Sequence, residues 1–153
     1  MSERSVAHAT FTIERTYDHL PARVFKAWAD PAAKAKWFGG PDEWIKERYE
    51  FDFRVGGQER ISGIPPGGKA HRFDARYLDI VPDQRIVYAY DMHIGDARIS
   101  VSLATVELKP AGASGTRLIF TEQGAFLDGY DDAGSREHGT RWLLDKLGAS
   151  LAP

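Results

Sequence analysis

The sequence predicts an α+β fold in which a curved antiparallel sheet wraps around one long C-terminal helix, in the order β-α-α-β-β-β-β-β-β-α. Three observations carry this reading. The segment from Asp132 to Leu151 places Trp142, Leu143, Leu147 and Leu151 at helical spacing, with Arg136, Glu137, Arg141, Asp145 and Lys146 on the other side. Before it runs a series of short segments of alternating polarity, separated by Gly, Pro and Asp turns. Two short helical stretches interrupt that series near its start. A helix with an apolar stripe must bury it, and the sheet is the large partner on offer.

The first strand spans Ala9 to Tyr17, where Phe11, Ile13, Arg15 and Tyr17 share one side; residues 1–7 read as a loose tail. Asp18 and Pro21 open a helix whose apolar face holds Val24, Phe25 and Trp28. Pro31 sits in the first turn of a second helix, which stops at Phe38 and the Gly39-Gly40-Pro41 run. Strands follow at Trp44 to Phe53, Gln58 to Ser62, His71 to Ile80, Arg85 to Met92, Arg98 to Leu108 and Thr116 to Gln123. Gly124 to Gly134 reads as a loop carrying Phe126, Leu127 and Tyr130, and Asp131, Asp132 or Ser135 caps the last helix. Within Arg98 to Leu108 the period breaks. Either a bulge lies near Ala104-Thr105, or Ser100, Ser102 and Ala104 face inward while Ile99, Val101 and Leu103 face out.

A chain of 153 residues, 42% apolar and 27% charged, fits one domain over residues 1–153 with its core at about 9–151. The net charge of −2, with dispersed Lys and Arg, excludes the basic stripe expected of a nucleic-acid partner. No apolar run is long enough to span a membrane, and the first twenty residues do not read as a signal peptide. With no cysteine there is no thiol chemistry, and the expectation is a cytoplasmic protein. Aromatic residues are plentiful (four Trp, six Tyr, eight Phe), enough either to fill a core or to line an apolar pocket.

Candidate ligand-binding residues follow from strand parity and helix face. Trp37 and Phe38 either pack the short helices or wall a cavity mouth. Tyr88 and Tyr90 share parity with Ile86 and Met92, so two hydroxyls enter an apolar interior and each wants a partner. Phe73 and Phe120 supply apolar lining, and Tyr77 is ambiguous because Leu78 and Ile80 argue for the opposite parity. Glu122 shares parity with Leu118 and Phe120, so an inward carboxylate there needs pairing and could act as an acid or base. On the helix, Trp142 lies near the centre of the stripe and His138 one turn earlier, within reach of Glu122 or a ligand.

Metal and nucleotide motifs are missing. His71 and His93 are too far apart for a local metal motif, and there is no His-Glu-x-x-His. The glycine pairs do not form a strand-to-helix phosphate loop, and no serine sits in a Gly-x-Ser-x-Gly elbow. No cofactor and no metal are expected.

Several segments together resemble a known family. They are Leu20-Pro21-Ala22 with Val24-Phe25 and Trp28, Trp37-Phe38, Arg54-Val55-Gly56-Gly57, Val81-Pro82-Asp83-Gln84-Arg85-Ile86-Val87-Tyr88, Gly115-Thr116-Arg117-Leu118, and Gly139 with Trp142, Leu143, Asp145, Lys146 and Leu147. In that order the chain resembles the START-like, helix-grip (SRPBCC) superfamily, and within it the family named after the activator of the heat-shock-protein ATPase. The resemblance implies a sheet gripping the C-terminal helix around a cavity. It leaves the reaction open, because the fold serves carriers, cyclases and co-chaperones alike. Ala75 replaces a frequent glycine and the Pro65 to Gly68 loop is proline-rich, so cavity shape and entrance are expected to differ.

Three functions remain at this level. The first is a cavity domain binding a small apolar or aromatic molecule. The second is a cofactor-independent enzyme of cyclase or aromatase type, using Tyr88, Tyr90, Glu122 or His138. The third is a co-chaperone-like interaction module with a filled interior. A homodimer is expected if Ile99, Val101 and Leu103 face outward.

Overall fold

Alternating polarity makes seven strands and three helices in this computed structural model, which describes residues 3–151. The elements run β1 (Val6–Tyr17), α1 (Pro21–Ala29), α2 (Pro31–Lys34), β2 (Ile45–Phe51), β3 (Gln58–Ile64), β4 (His71–Val81), β5 (Arg85–Ile94), β6 (Ala97–Ala111), β7 (Gly115–Leu127) and α3 (Ala133–Leu151). The sheet order is β1-β7-β6-β5-β4-β3-β2, antiparallel throughout. This is the expected element order and the helix-grip topology.

Most strands run longer than expected, while β2 is shorter, covering Ile45–Phe51 of the expected Trp44 to Phe53. β1 starts at Val6, so the tail read over residues 1–7 is shorter; its first two residues lie outside the described range. Ser5 is held by Asp128, its N–H donating to Oδ1 at 2.9 Å. β7 runs on to Leu127, through residues read as loop, because β1 and β6 both pair with that stretch.

Two bulges settle the parity questions. In β4 the register shifts between Tyr77 and Asp79, making Leu78 the extra residue. Tyr77 is therefore buried, Ile80 packs against the core and Leu78 is exposed. In β6 the pairing with β5 is regular from Ser100 to Glu107, so no bulge lies at Ala104-Thr105; the irregularity falls at Ile99, between Met92 and His93 of the partner strand. Ser100, Ser102, Ala104, Val106 and Leu108 face the helix side, and Val101 and Leu103 are exposed. Ile99 does not join them outside: it is buried.

The helices follow from proline and caps. Pro21 occupies the first turn of α1, and Val24, Ala27 and Trp28 are its buried face. α1 ends at Asp30, extended ahead of Pro31, as the residue before a proline prefers. The Asp30 carboxylate then accepts from the Ala33 N–H at 2.9 Å and caps α2. Asp132 does the same for α3, accepting from the Ser135 N–H at 2.8 Å.

α3 buries Thr140, Leu144, Leu147 and Leu151. That stripe is rotated from the one expected through Trp142, which is 44% exposed. Gly148 lies against β1, where a Cβ would sit 2.9 Å from Cε1 of Tyr17. The close approach lets the Tyr17 hydroxyl donate to the Leu144 carbonyl at 2.8 Å. Arg15 pairs with Asp145 at 2.9 Å beside it. The C-terminal half of α3 is thus fastened to β1.

Candidate functional site

Between the N-terminal half of α3 and the sheet lies a cavity of about 350 Å³. Its wall is built by a chain of aromatic contacts that starts on α1. Trp28 meets Trp37 edge-on at 4.7 Å between centroids, Trp37 meets Phe38 at 5.5 Å, and Phe38 meets Phe73 of β4 at 5.0 Å. Phe73 tilts against Tyr90 at 4.7 Å, and Tyr90 lies 5.9 Å from Tyr88. Each such pair contributes about 0.5–1.5 kcal/mol beyond its buried area, so the wall is rigid without filling the space in front of it. Trp37 is locked further by its indole N–H, which donates to the Ala27 carbonyl at 2.9 Å. Phe120 of β7 completes the apolar side.

One end of the cavity is polar. Oε2 of Glu122 accepts from the Tyr90 hydroxyl at 2.7 Å, the Ser102 hydroxyl at 2.8 Å and Nη1 of Arg136 at 3.1 Å. Nη1 also donates to the Tyr90 oxygen at 2.9 Å, and Nη2 donates to Ser100 at 2.7 Å and to Asp131 at 3.0 Å. The serines that broke the alternation of β6 are thus partners of this cluster. Glu122 is 1% exposed, and its other oxygen, Oε1, is buried with no hydrogen-bond partner. Burial works against the charge of Arg136, but Tyr90, Glu122 and Asp131 together hold its pKa above the ordinary value. Burial, and then Glu122, push the Tyr90 hydroxyl far above the usual range, so it stays a proton donor. The Tyr88 hydroxyl is raised by the same causes, with Tyr90 second to burial, and no hydrogen bond of it is found among the described residues.

The mouth is formed by Gly39, Gly40, Pro41 and Trp44 on one side and Gly139 and Trp142 on the other. Lys46 donates to the Gly40 carbonyl at 3.0 Å there. His71 lines the same region, and burial lowers its pKa below 6.5. The Pro65 to Gly68 loop and Ala75 are not among the residues that border the cavity.

Of the residues singled out from sequence, Trp37, Phe38, Phe73, Tyr88, Tyr90, Phe120, Glu122 and Trp142 border one cavity. Trp142 does so from the rim, with the Lys146 ammonium 4.4 Å from its ring centre. His138 is a correction: it is exposed and does not reach the cavity, because α3 turns Ser135, Arg136, Gly139 and Thr140 inward instead. Arg136, on the polar side of the helix by sequence pattern, points to the sheet instead. The signal for it was the inward carboxylate of Glu122, which needs a cation close by.

A second buried cluster joins Lys34, Glu59 and Tyr77. Lys34 Nζ lies 2.6 Å from Oε1 of Glu59, and Tyr77 donates to that same oxygen at 2.7 Å. The ammonium is boxed by Phe38 at 4.3 Å and Phe51 at 5.1 Å, and burial lowers its pKa against the pull of Glu59. This cluster lies behind the aromatic wall and does not border the cavity. On the opposite side of the sheet, the fold brings Asp74, Asp91 and His93 within 4.8 Å of one another, a grouping that sequence spacing did not show. Both carboxylates also have arginine neighbours, Arg60 at 3.8 Å and Arg98 at 3.4 Å.

The family model described as activator of Hsp90 ATPase homolog 1-like protein matches residues 18–152. Among solved structures, Mll3558 protein from Rhizobium loti is 54% identical at a TM-score of 0.89, over 95% of this chain and 99% of that one. An uncharacterized protein from Rhizobium leguminosarum is 47% identical at a TM-score of 0.92, over 98% of each chain. Protein CV1439 from Chromobacterium violaceum is 29% identical at 0.77, over 94% of this chain and 97% of that one. No curated protein matches the chain.

Proposed function

The chain belongs to the activator of Hsp90 ATPase homolog 1-like family, a branch of the helix-grip superfamily, and from that premise we propose that it binds a small, largely apolar or aromatic molecule between α3 and the sheet. The observation that carries the reading is the cavity of about 350 Å³, walled by aromatic rings with its polar groups gathered at one end. That size sits at the lower end of ordinary ligand pockets, about 300–1,000 Å³. Trp37, Phe38, Phe73, Tyr88, Tyr90, Phe120 and Glu122 are the contacts, with Trp142 at the entrance. A co-chaperone-like module was expected to have a filled interior, and the cavity counts against that alternative.

A second reading, proton transfer on the bound molecule, has one observation in its favour. Tyr90, Glu122 and Arg136 converge within hydrogen-bond distance at the cavity end. Any self-association would use the outer side of β6, where Val101 and Leu103 are exposed. Among the described residues no helix is long and apolar enough to cross a membrane.

Native mass spectrometry of freshly isolated protein tests the main reading. The expected spectrum contains the chain plus a retained small molecule that is lost at higher collision energy. The same spectrum gives the subunit count. A chain that never carries or takes up an apolar molecule overturns the proposal.

A further inference from the structure

Resting on the cavity reading above, we infer that the bound molecule is neutral and carries a hydroxyl group, an alcohol or a phenol, held between Glu122 and Tyr88. Oε2 of Glu122 is saturated by three donors, while Oε1 is buried, accepts nothing and belongs to a residue that borders the cavity. Leaving a buried acceptor unmet is costly, and more so for a carboxylate oxygen, so the occupant that stabilises this site brings a donor. Tyr88 borders the same space with a hydroxyl that has no bond among the described residues. In the sheet, Tyr88 pairs with Ala104 and Ala104 with Glu122, so the two polar residues lie in one row on either side of a small side chain.

A hydroxyl suits this pair because it donates and accepts at once. It donates to Oε1 and accepts from Tyr88. Trp28, also on the wall, has a buried indole nitrogen with no partner, and it too is a donor that an oxygen can meet. A carboxylate ligand would set its charge against Glu122. An ammonium could meet Glu122 but offers Tyr88 and Trp28 no acceptor, and Arg136 already neutralises Glu122.

The arrangement makes an inverting variant available. In Glu122→Gln one position of the carboxylate becomes an amide nitrogen. Three donors converge on the Oε2 position, so the amide oxygen must take it. The NH₂ then falls at the Oε1 position and asks the ligand for an acceptor.

The test uses three probes of nearly equal size, 2-phenylethanol, acetophenone and ethylbenzene, with dissociation constants from NMR titration of the full chain. The native protein is expected to favour the alcohol over the ketone by about tenfold, the scale of one hydrogen bond to a charged group. Glu122→Gln is expected to reverse that ratio while ethylbenzene affinity changes by less than about twofold, which also shows that the variant is folded. Tyr88→Phe is expected to shrink the alcohol's advantage without reversing it. If all three bind but the ratio is unmoved by Glu122→Gln, the hydroxyl inference falls and the cavity reading stands. If none of the three binds the native protein, the cavity reading falls and takes this inference with it.

Discussion

Lys34 and Glu59 are 1% and 0% exposed, and among the described residues each is the other's only ion-pair partner in an aromatic box. Desolvating both charges costs several kcal/mol, so the pair adds little net stability. Lys34→Met alone leaves a buried, unpaired carboxylate, and urea unfolding should show a loss of about 3–5 kcal/mol. Adding Glu59→Leu should restore most of it; an equal loss in the single and double variants would contradict this account. His71 is a pH-sensitive residue at the cavity wall. Burial lowers its folded pKa below the unfolded value of 6.5. Its contribution to stability is therefore present above pH 6.5 and lost as pH falls through the folded value, and an NMR titration of its ring protons should show a midpoint below 6.5. Glu122 was legible from strand parity alone. Arg136 and Lys34 were not, because charged residues on helices are ordinarily solvated and nothing in local sequence says which one the fold turns inward.

Two glycines of α3 separate helix propensity from packing. At Gly139 a Cβ would meet nothing within 4 Å. Gly139→Ala should therefore gain up to about 1 kcal/mol in thermal or urea unfolding, the interior helix preference of alanine over glycine. At Gly148 the same change drives a methyl to 2.9 Å from the buried Tyr17 ring, whose hydroxyl is tied to Leu144. Overpacking of about 1–3 kcal/mol outweighs the propensity gain, so Gly148→Ala should be the less stable variant. If both substitutions stabilise alike, α3 does not rest on β1 as described. The order and number of elements were readable from turns and alternation, as the six later strands show. The rotation of α3 was not. Trp142 is the largest apolar side chain on the helix, and placing it at the stripe's centre is reasonable when a helix lies on its sheet along its full length. Here only the half from Thr140 onward does, and Trp142 covers a rim.

For the molecule as a whole, β6 turns small residues, Ser100, Ser102 and Ala104, to the inner side of the sheet, where the two serines make room for the Glu122 and Arg136 side chains at the cavity end. Sequence parity raised that outcome beside a bulge and could not choose between them; pairing to both neighbours decides it. Filling the entrance should be as informative as probing the polar end. Gly139→Leu places a side chain where the backbone now borders open space, and the retained molecule in native mass spectra should fall several-fold while the melting temperature holds. An unchanged occupancy would mean that the molecule sits elsewhere. The fastening of α3 has a kinetic corollary. One end is bound to Ser100, Tyr90 and Glu122 through Arg136, and the other to β1 through Tyr17 and Asp145. Lifting the helix would break both attachments, so a molecule held as proposed is expected to enter and leave past the Gly39-Gly40-Pro41 segment that lines the cavity. Residence time then belongs to that short span, and changes there should alter how fast a guest leaves far more than how tightly it is held.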